Sequence, residues 1–201
     1  MWNWRLNWNI VRHDLVVGSC PRPVSDLDIL HVEARVSALL SLQHDECLAT
    51  HGIDYPRQVR YGRRLGLAME RCPLRAFDPA DQRRGLPSAV RALYGLLRQG
   101  HRVYVHCTAG INRAPLVVLA YLSLVEGMGL EEAMTLLLHA RPEINPTWEA
   151  YHGCQQDLTA QHEDRVRQRA FEFSRRQPEQ SALDHWLQAE RAIWCEVLTA
   201  G

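Results

Sequence analysis

The chain has 201 residues, 46% hydrophobic and 23% charged, which suits one sizeable globular domain with a short appendage and excludes a disordered, collagen-like or disulfide-scaffold protein. Twenty-three basic residues balance twenty-three acidic ones. No global field therefore draws the chain to nucleic acid or to an anionic membrane, and any anion binding has to be local.

Residues 9–18 read as one or two short strands broken near His13-Asp14. The segment Pro23 to Ala34 carries Leu27, Leu30 and His31 at helical spacing, with Ser25 as its expected N-cap. Arg35 to Leu42 is apolar enough for a buried strand, and Asp45 to His51 reads as a short helix ended by Gly52. Residues 56–66, rich in Arg, fit an exposed loop or helix; Leu67 to Leu74 is a weak strand, followed by a polar loop over 75–84. From Leu86 to Arg98, Val90, Leu93, Leu96 and Leu97 recur on one face, which predicts an amphipathic helix ended by Gly100. Val103 to His106 is a short buried strand, 114–125 a central helix, and Leu130 to His139 and Pro146 to Leu158 two more helices. Alternating strands and helices predict an α/β sandwich, a mixed sheet flanked by helices, over residues 1–158. Residues 159–201 form a helical extension, charged over 161–176 and amphipathic after Pro178. It is too small for a core of its own, so it docks on the main domain or on a protein partner.

The chemistry concentrates in Val105-His106-Cys107-Thr108-Ala109-Gly110-Ile111-Asn112-Arg113-Ala114-Pro115. A strand leads into a Cys, a short loop contains a Gly, and an Arg opens a long helix. Successive backbone N–H groups around such a loop point inward, and the helix N-terminus adds positive potential. Arg113 can clamp two phosphate oxygens, and Cys107 at the same focus is expected as a thiolate. His106 can assist by hydrogen bonding beneath the loop. The expected ligand of residues 107–113 is a phosphate anion, and no metal or other cofactor is called for.

His-Cys-x5-Arg resembles the signature of the cysteine-dependent protein tyrosine phosphatase superfamily, in its compact dual-specificity branch. The similarity runs from Asn9 to Leu158. Val11 to Cys20, Ser41-Leu42-Gln43-His44-Asp45, Leu86-Pro87, Cys107-Thr108-Ala109-Gly110-Ile111 and Arg113-Ala114-Pro115 resemble the glucan phosphatases, laforin and the plant starch-excess type. The resemblance implies a phosphomonoester hydrolase with Cys107 as nucleophile and Arg113 as phosphate clamp. Thr108, Ala109, Gly110, Ile111, Asn112 and Phe77 would then line the substrate site. Phosphorylated glucan is the implied substrate, with a phosphoprotein as the alternative. Two positions depart from the pattern. Asn112 stands where the glucan enzymes have Gly. The family's general acid, an Asp, lies 31 or 32 residues before the Cys, and counting back 31 from Cys107 reaches Ala76. Three explanations stay open: Asp78 takes over as acid, the protein binds phosphate with weak or no turnover, or an Asp→Ala change was introduced to trap substrate.

The uncharged loop side chains argue against a polyphosphorylated lipid substrate. Phe77, Trp148 and Tyr151 can offer flat faces to sugar rings, although Trp148 and Tyr151 read better as core residues of the last domain helix. Trp2, Trp4 and Trp8 are expected to cover one sheet edge. The arginines of 57–64 and 165–176 read as solvated faces. No run of about 18 apolar residues predicts a membrane span, and the start Met1-Trp2-Asn3-Trp4-Arg5 lacks a signal-peptide core. A cytoplasmic location is expected, and with it six thiols; Cys20, Cys47, Cys72, Cys154 and Cys195 read as core residues. The lack of Lys, which fits a GC-rich genome, and a weak likeness of the tail to a bacterial helical module point to a bacterial source.

Overall fold

A computed structural model describes residues 5–200, and Trp2 and Trp4 lie outside that range. Strands β1 (Trp8–Arg12) and β2 (Leu15–Gly18) pair antiparallel across the break at His13-Asp14. Strands β3 (Ala38–Gln43), β4 (Ala68–Leu74) and β5 (Val103–His106) complete one mixed sheet in the order β1-β2-β5-β3-β4. β5 lies parallel to both β2 and β3, and β3 is parallel to β4.

Side chains alternate between two cores. Leu15, Val17, Leu40, Val103 and Val105 join the larger cluster, whereas Val16, Leu39 and Tyr104 join a smaller one on the other face. Both faces are covered, which is why these strands read as near-continuous apolar runs rather than alternating ones. Trp8 opens the edge strand and packs on the smaller cluster.

The smaller face is covered by α1 (Ser25–Val32) through Leu27 and Leu30, and by Tyr61 of α3 (Tyr55–Arg64). Ser25 is already inside α1; Val24 holds the N-cap place with no side-chain cap, and Asp26 instead accepts from the Arg22 N–H. Helix α2 (Asp45–Thr50) ends before Gly52, whose φ of +62° suits the turn. The arginines of α3 lie exposed, as expected.

The predicted polar loop over 75–84 is largely helical. Helix α4 runs from Pro79 to Arg98, and only 75–78 remain as loop. Asp78 caps it, its Oδ1 accepting from the Asp81 N–H at 2.9 Å, and Pro79 follows in the first turn where its missing N–H costs nothing. Pro87 sits mid-helix, yet Leu86, Ala89, Val90, Leu93 and Leu96 are buried along one face. Packing of that face outweighs the bond that Pro87 removes.

Helix α5 (Arg113–Ala120) is buried all round, and its predicted continuation to residue 125 is a π-helical turn over Tyr121–Val125. Then come α6 (Leu130–Ala140) and α7 (Trp148–Gln161), the latter running past Leu158. Helix α8 (Glu163–Arg176) and helix α9 (Ala182–Thr199), opened by a Ser181–Asp184 capping box, form a hairpin. Trp194 and Leu198 of α9 enter the larger core, so the hairpin docks on the sheet domain. Among the described residues no helix is long and apolar enough to cross a membrane.

Candidate active site

The loop 107–112 joins the end of β5 to the start of α5, and its shape is fixed from outside. The Thr108 carbonyl accepts from the Cys20 N–H at 3.0 Å, and the Ile111 carbonyl from the Asn145 N–H at 2.8 Å. Between them, the carbonyls of Ala109 and Gly110 accept from the Arg141 guanidinium at 2.9 and 3.0 Å. Four successive carbonyls thus turn outward, leaving the N–H groups to face the hollow of the loop. Gly110 has φ +74°, and a Cβ there would come within 2.4 Å of the Gly18 carbonyl, so the close approach of loop and β2 needs glycine.

Cys107 lies at the base of this hollow, 2% exposed. Burial opposes its ionisation. Arg113 and the N–H groups of Ala114, Gly110 and Asn112 outweigh that, and hold the thiol below its ordinary pKa. At nearby Cys20 burial dominates, with the charge of Cys107 adding to it, and outweighs Arg22 and the Gln43 donor, so the thiol is pushed up to about 12. Arg113 is 3% exposed and braced by the sheet: Nη1 donates to the carbonyls of Leu74 (2.8 Å) and Leu42 (3.2 Å), and Nη2 to the Thr108 hydroxyl (3.0 Å). His106 stacks on Tyr104, and its Nδ1 lies 3.2 Å from the Cys107 carbonyl, so Nδ1 carries the ring proton. Burial depresses the His106 pKa to about 4, so the ring is neutral near pH 7.

The hollow opens into a cavity of about 740 Å³ lined by Cys107, Thr108, Ala109, Ile111, Asn112 and Arg113 from the loop, and by Ala76 and Phe77 opposite. Phe77 is 92% exposed with φ +58°, a conformation that costs a bulky residue about 1–3 kcal/mol. Asp78 is outside the lining, and its carboxylate is engaged in capping α4. Asn112, the departure from glycine, donates to the Asn145 carbonyl and the Thr147 hydroxyl and accepts from Gln82. It thereby ties the loop to the start of α4 and to the segment before α7.

Several contributors escaped the sequence reading. Arg22, Glu46, Cys47, Thr50 and His51 line the same cavity from the chain around α1 and α2. Cys47, expected as a core thiol, is half-buried and accepts from Arg113 Nη1 at 3.4 Å. Arg22 brings a cation that the loop itself lacks. Arg141, which shapes the loop, gave no local motif; its only sequence signal was a charge in a run otherwise suited to a helix end. Tyr151 is buried as expected, but Trp148 is 39% exposed. Among the described residues no three His, Cys, Asp or Glu side chains converge as a metal-ligand set.

Residues 35–153 match the model of the dual specificity phosphatase catalytic domain. The chain is 39% identical over 138 residues to the amyloplastic phosphoglucan phosphatase DSP4 of Castanea sativa, an alignment covering 68% of this chain and 36% of that one. It is 27% identical over 164 residues to laforin of Mus musculus, covering 77% and 50%. The chain therefore spans about a third to a half of these relatives' length. The fold is similar to that of PTPMT1, with TM-score 0.61 at 19% identity, covering 78% of this chain and 99% of that one.

Proposed function

From the chain's membership of the dual specificity phosphatase catalytic-domain family, we propose that it hydrolyses phosphomonoesters through a phosphocysteine, with phosphorylated glucan as substrate. The observation that carries this reading is the loop itself: four outward carbonyls, a buried Arg and a Cys held below its ordinary pKa. The Cys107 thiolate attacks phosphorus while the loop N–H groups and Arg113 hold the equatorial oxygens. The bond from phosphorus to the leaving oxygen breaks, and that oxygen takes its proton from solvent, because Ala76 has none to give. Water then attacks phosphorus, the P–S bond breaks, and phosphate leaves with Cys107 restored as thiolate. Thr108, Ala109, Gly110, Ile111 and Asn112 bind the phosphoryl group, His106 supports the loop from beneath, and Phe77 offers its face to a sugar ring. Similarity to phosphoglucan phosphatases supports the substrate class, as does a wide mouth with an exposed aromatic ring. Residues 1–158 make up the catalytic unit, and six thiols and an all-Arg basic set are consistent with the cytoplasm of a bacterium.

Ala76 favours a second reading, a phosphate-binding relative with little turnover. Phosphate release from phosphorylated glucan, a phosphopeptide and an aryl phosphate separates the readings. The glucan reading expects release from glucan above the peptide, and its abolition in Cys107→Ser, since a serine stays neutral at this site. Release retained in that variant overturns the mechanism; anion binding with no release from any substrate favours the second reading.

A further inference from the structure

A second cavity, of about 580 Å³, opens between α7, α8 and α9, away from the catalytic loop. Helix α7 contributes His152, Gln155 and Thr159, and α9 contributes Trp186, Glu190 and Trp194, the latter at fourfold spacing on one helical face. Flat rings alternate with amide, hydroxyl and carboxylate groups along both walls. The floor is tied: the Trp194 indole N–H donates to the Thr159 hydroxyl at 3.1 Å, and that hydroxyl donates to Glu190 Oε1 at 3.0 Å. The polar edge of Trp194 is thereby satisfied inside the protein, and Glu190 is held in one orientation.

This combination suits a neutral sugar chain. The C–H face of a pyranose stacks on an indole, while its hydroxyl rim needs donors and acceptors of the kind Gln and Glu provide. The lining carries two carboxylates, Glu163 and Glu190, and no Arg. Arg167 lies outside the lining and is already paired with Glu163 at 2.6 Å, which leaves the cleft poorly suited to phosphate-rich or acidic ligands.

Helix α7 links the cleft to the catalytic loop. The exposed Trp148 stacks on His152 at 5.9 Å with rings 22° apart. Trp148 follows Thr147, whose hydroxyl accepts from Asn112 of the loop at 2.9 Å. From Trp148 to Thr159 along α7 is roughly 16 Å at the rise of an α-helix, a span for a short run of sugar units.

We propose that the cleft between α7 and α9 is an auxiliary subsite for an unphosphorylated stretch of glucan. In it Trp186 and His152 hold the chain whose phosphorylated unit occupies the catalytic loop. The proposal rests on the glucan reading of that loop.

The test is calorimetric titration of the full chain with maltoheptaose, which carries no phosphate, alongside phosphate release from phosphorylated glucan. Maltoheptaose is expected to bind the unaltered protein, and Trp186→Ala to weaken binding roughly fivefold or more. Trp186 also packs on the α8–α9 cluster, so His152→Ala, at an exposed position, serves as the second variant and should weaken binding in the same direction. Each variant should also lower the ratio of glucan to aryl-phosphate turnover. Binding weakened by Phe77→Ala but indifferent to both cleft variants would place the sugar only at the catalytic mouth and overturn the proposal. Glucan turnover without any effect of the cleft variants sinks the subsite and leaves the substrate reading standing. Binding lost in the cleft variants, in a protein that releases no phosphate from glucan, supports the subsite and sinks that reading. Neither binding nor release sinks both.

Discussion

At position 76 a methyl group faces the cavity that holds Cys107 and Arg113. A carboxyl there would protonate the leaving oxygen, a contribution worth about 10²–10⁴-fold. Ala76→Asp is therefore expected to raise turnover of a sugar phosphate roughly tenfold or more, with little gain on an activated aryl phosphate. The pH profile supplies the check. The unaltered protein's kcat/KM should rise as Cys107 ionises and then hold, whereas Ala76→Asp adds a fall at higher pH as the new acid loses its proton. His106 gives a second residue-scale expectation. Its folded pKa of about 4 lies below the ordinary 6.5, so the unfolded chain binds more protons between those values. Stability should then be full above pH 6.5 and decline as pH falls toward 4, by up to on the order of 3 kcal/mol. Urea melts across that range should show a flatter slope for His106→Asn; an unchanged slope would remove His106 as the source. The geometry around Cys107 and Arg113 was legible because Cys107, Gly110 and Arg113 fall within one short motif. Arg141 and Arg22 were not, since nothing local marks a side chain that acts across the fold.

Among the elements, α4 shows why the predicted polar loop failed. Its first turns are polar and charged and carry no apolar periodicity, but a capping Asp and a following Pro start the helix at residue 79. Periodicity located the buried face correctly; cap chemistry set the boundary. The cap also bears on catalysis, because it occupies the Asp that directly follows Phe77 of the cavity lining. Asp78→Asn keeps a good capping residue and should change turnover little, while Asp78→Ala should cost about 1 kcal/mol and lower the melting temperature by about 2–4 °C. Turnover crippled by Asp78→Asn at unchanged stability would instead make Asp78 the working acid. The strands were read most closely, β5 to the residue, because burial on both faces leaves an unbroken apolar run between polar turns. The π-helical turn at Tyr121–Val125 had no signal in composition, since the same apolar residues suit an α-helix.

Across the whole molecule, the catalytic loop is assembled from segments remote in sequence. Arg141 reaches Ala109 and Gly110 with one side of its guanidinium. With the other it reaches Asn9 and Asn7, separated from it by 132 and 134 residues. The loop therefore takes its working shape only after the two ends of the catalytic region have met. Closing so long a span is entropically slow compared with forming helices. On dilution from denaturant, recovery of helical circular dichroism should run ahead of recovery of turnover, and Arg141→Lys, which cannot bridge both sets of partners, should widen the delay. Coincident recovery of the two signals would show that the long-range bridge forms early. If the delay is found, phosphate release becomes a stopwatch for the final long-range closure of the chain.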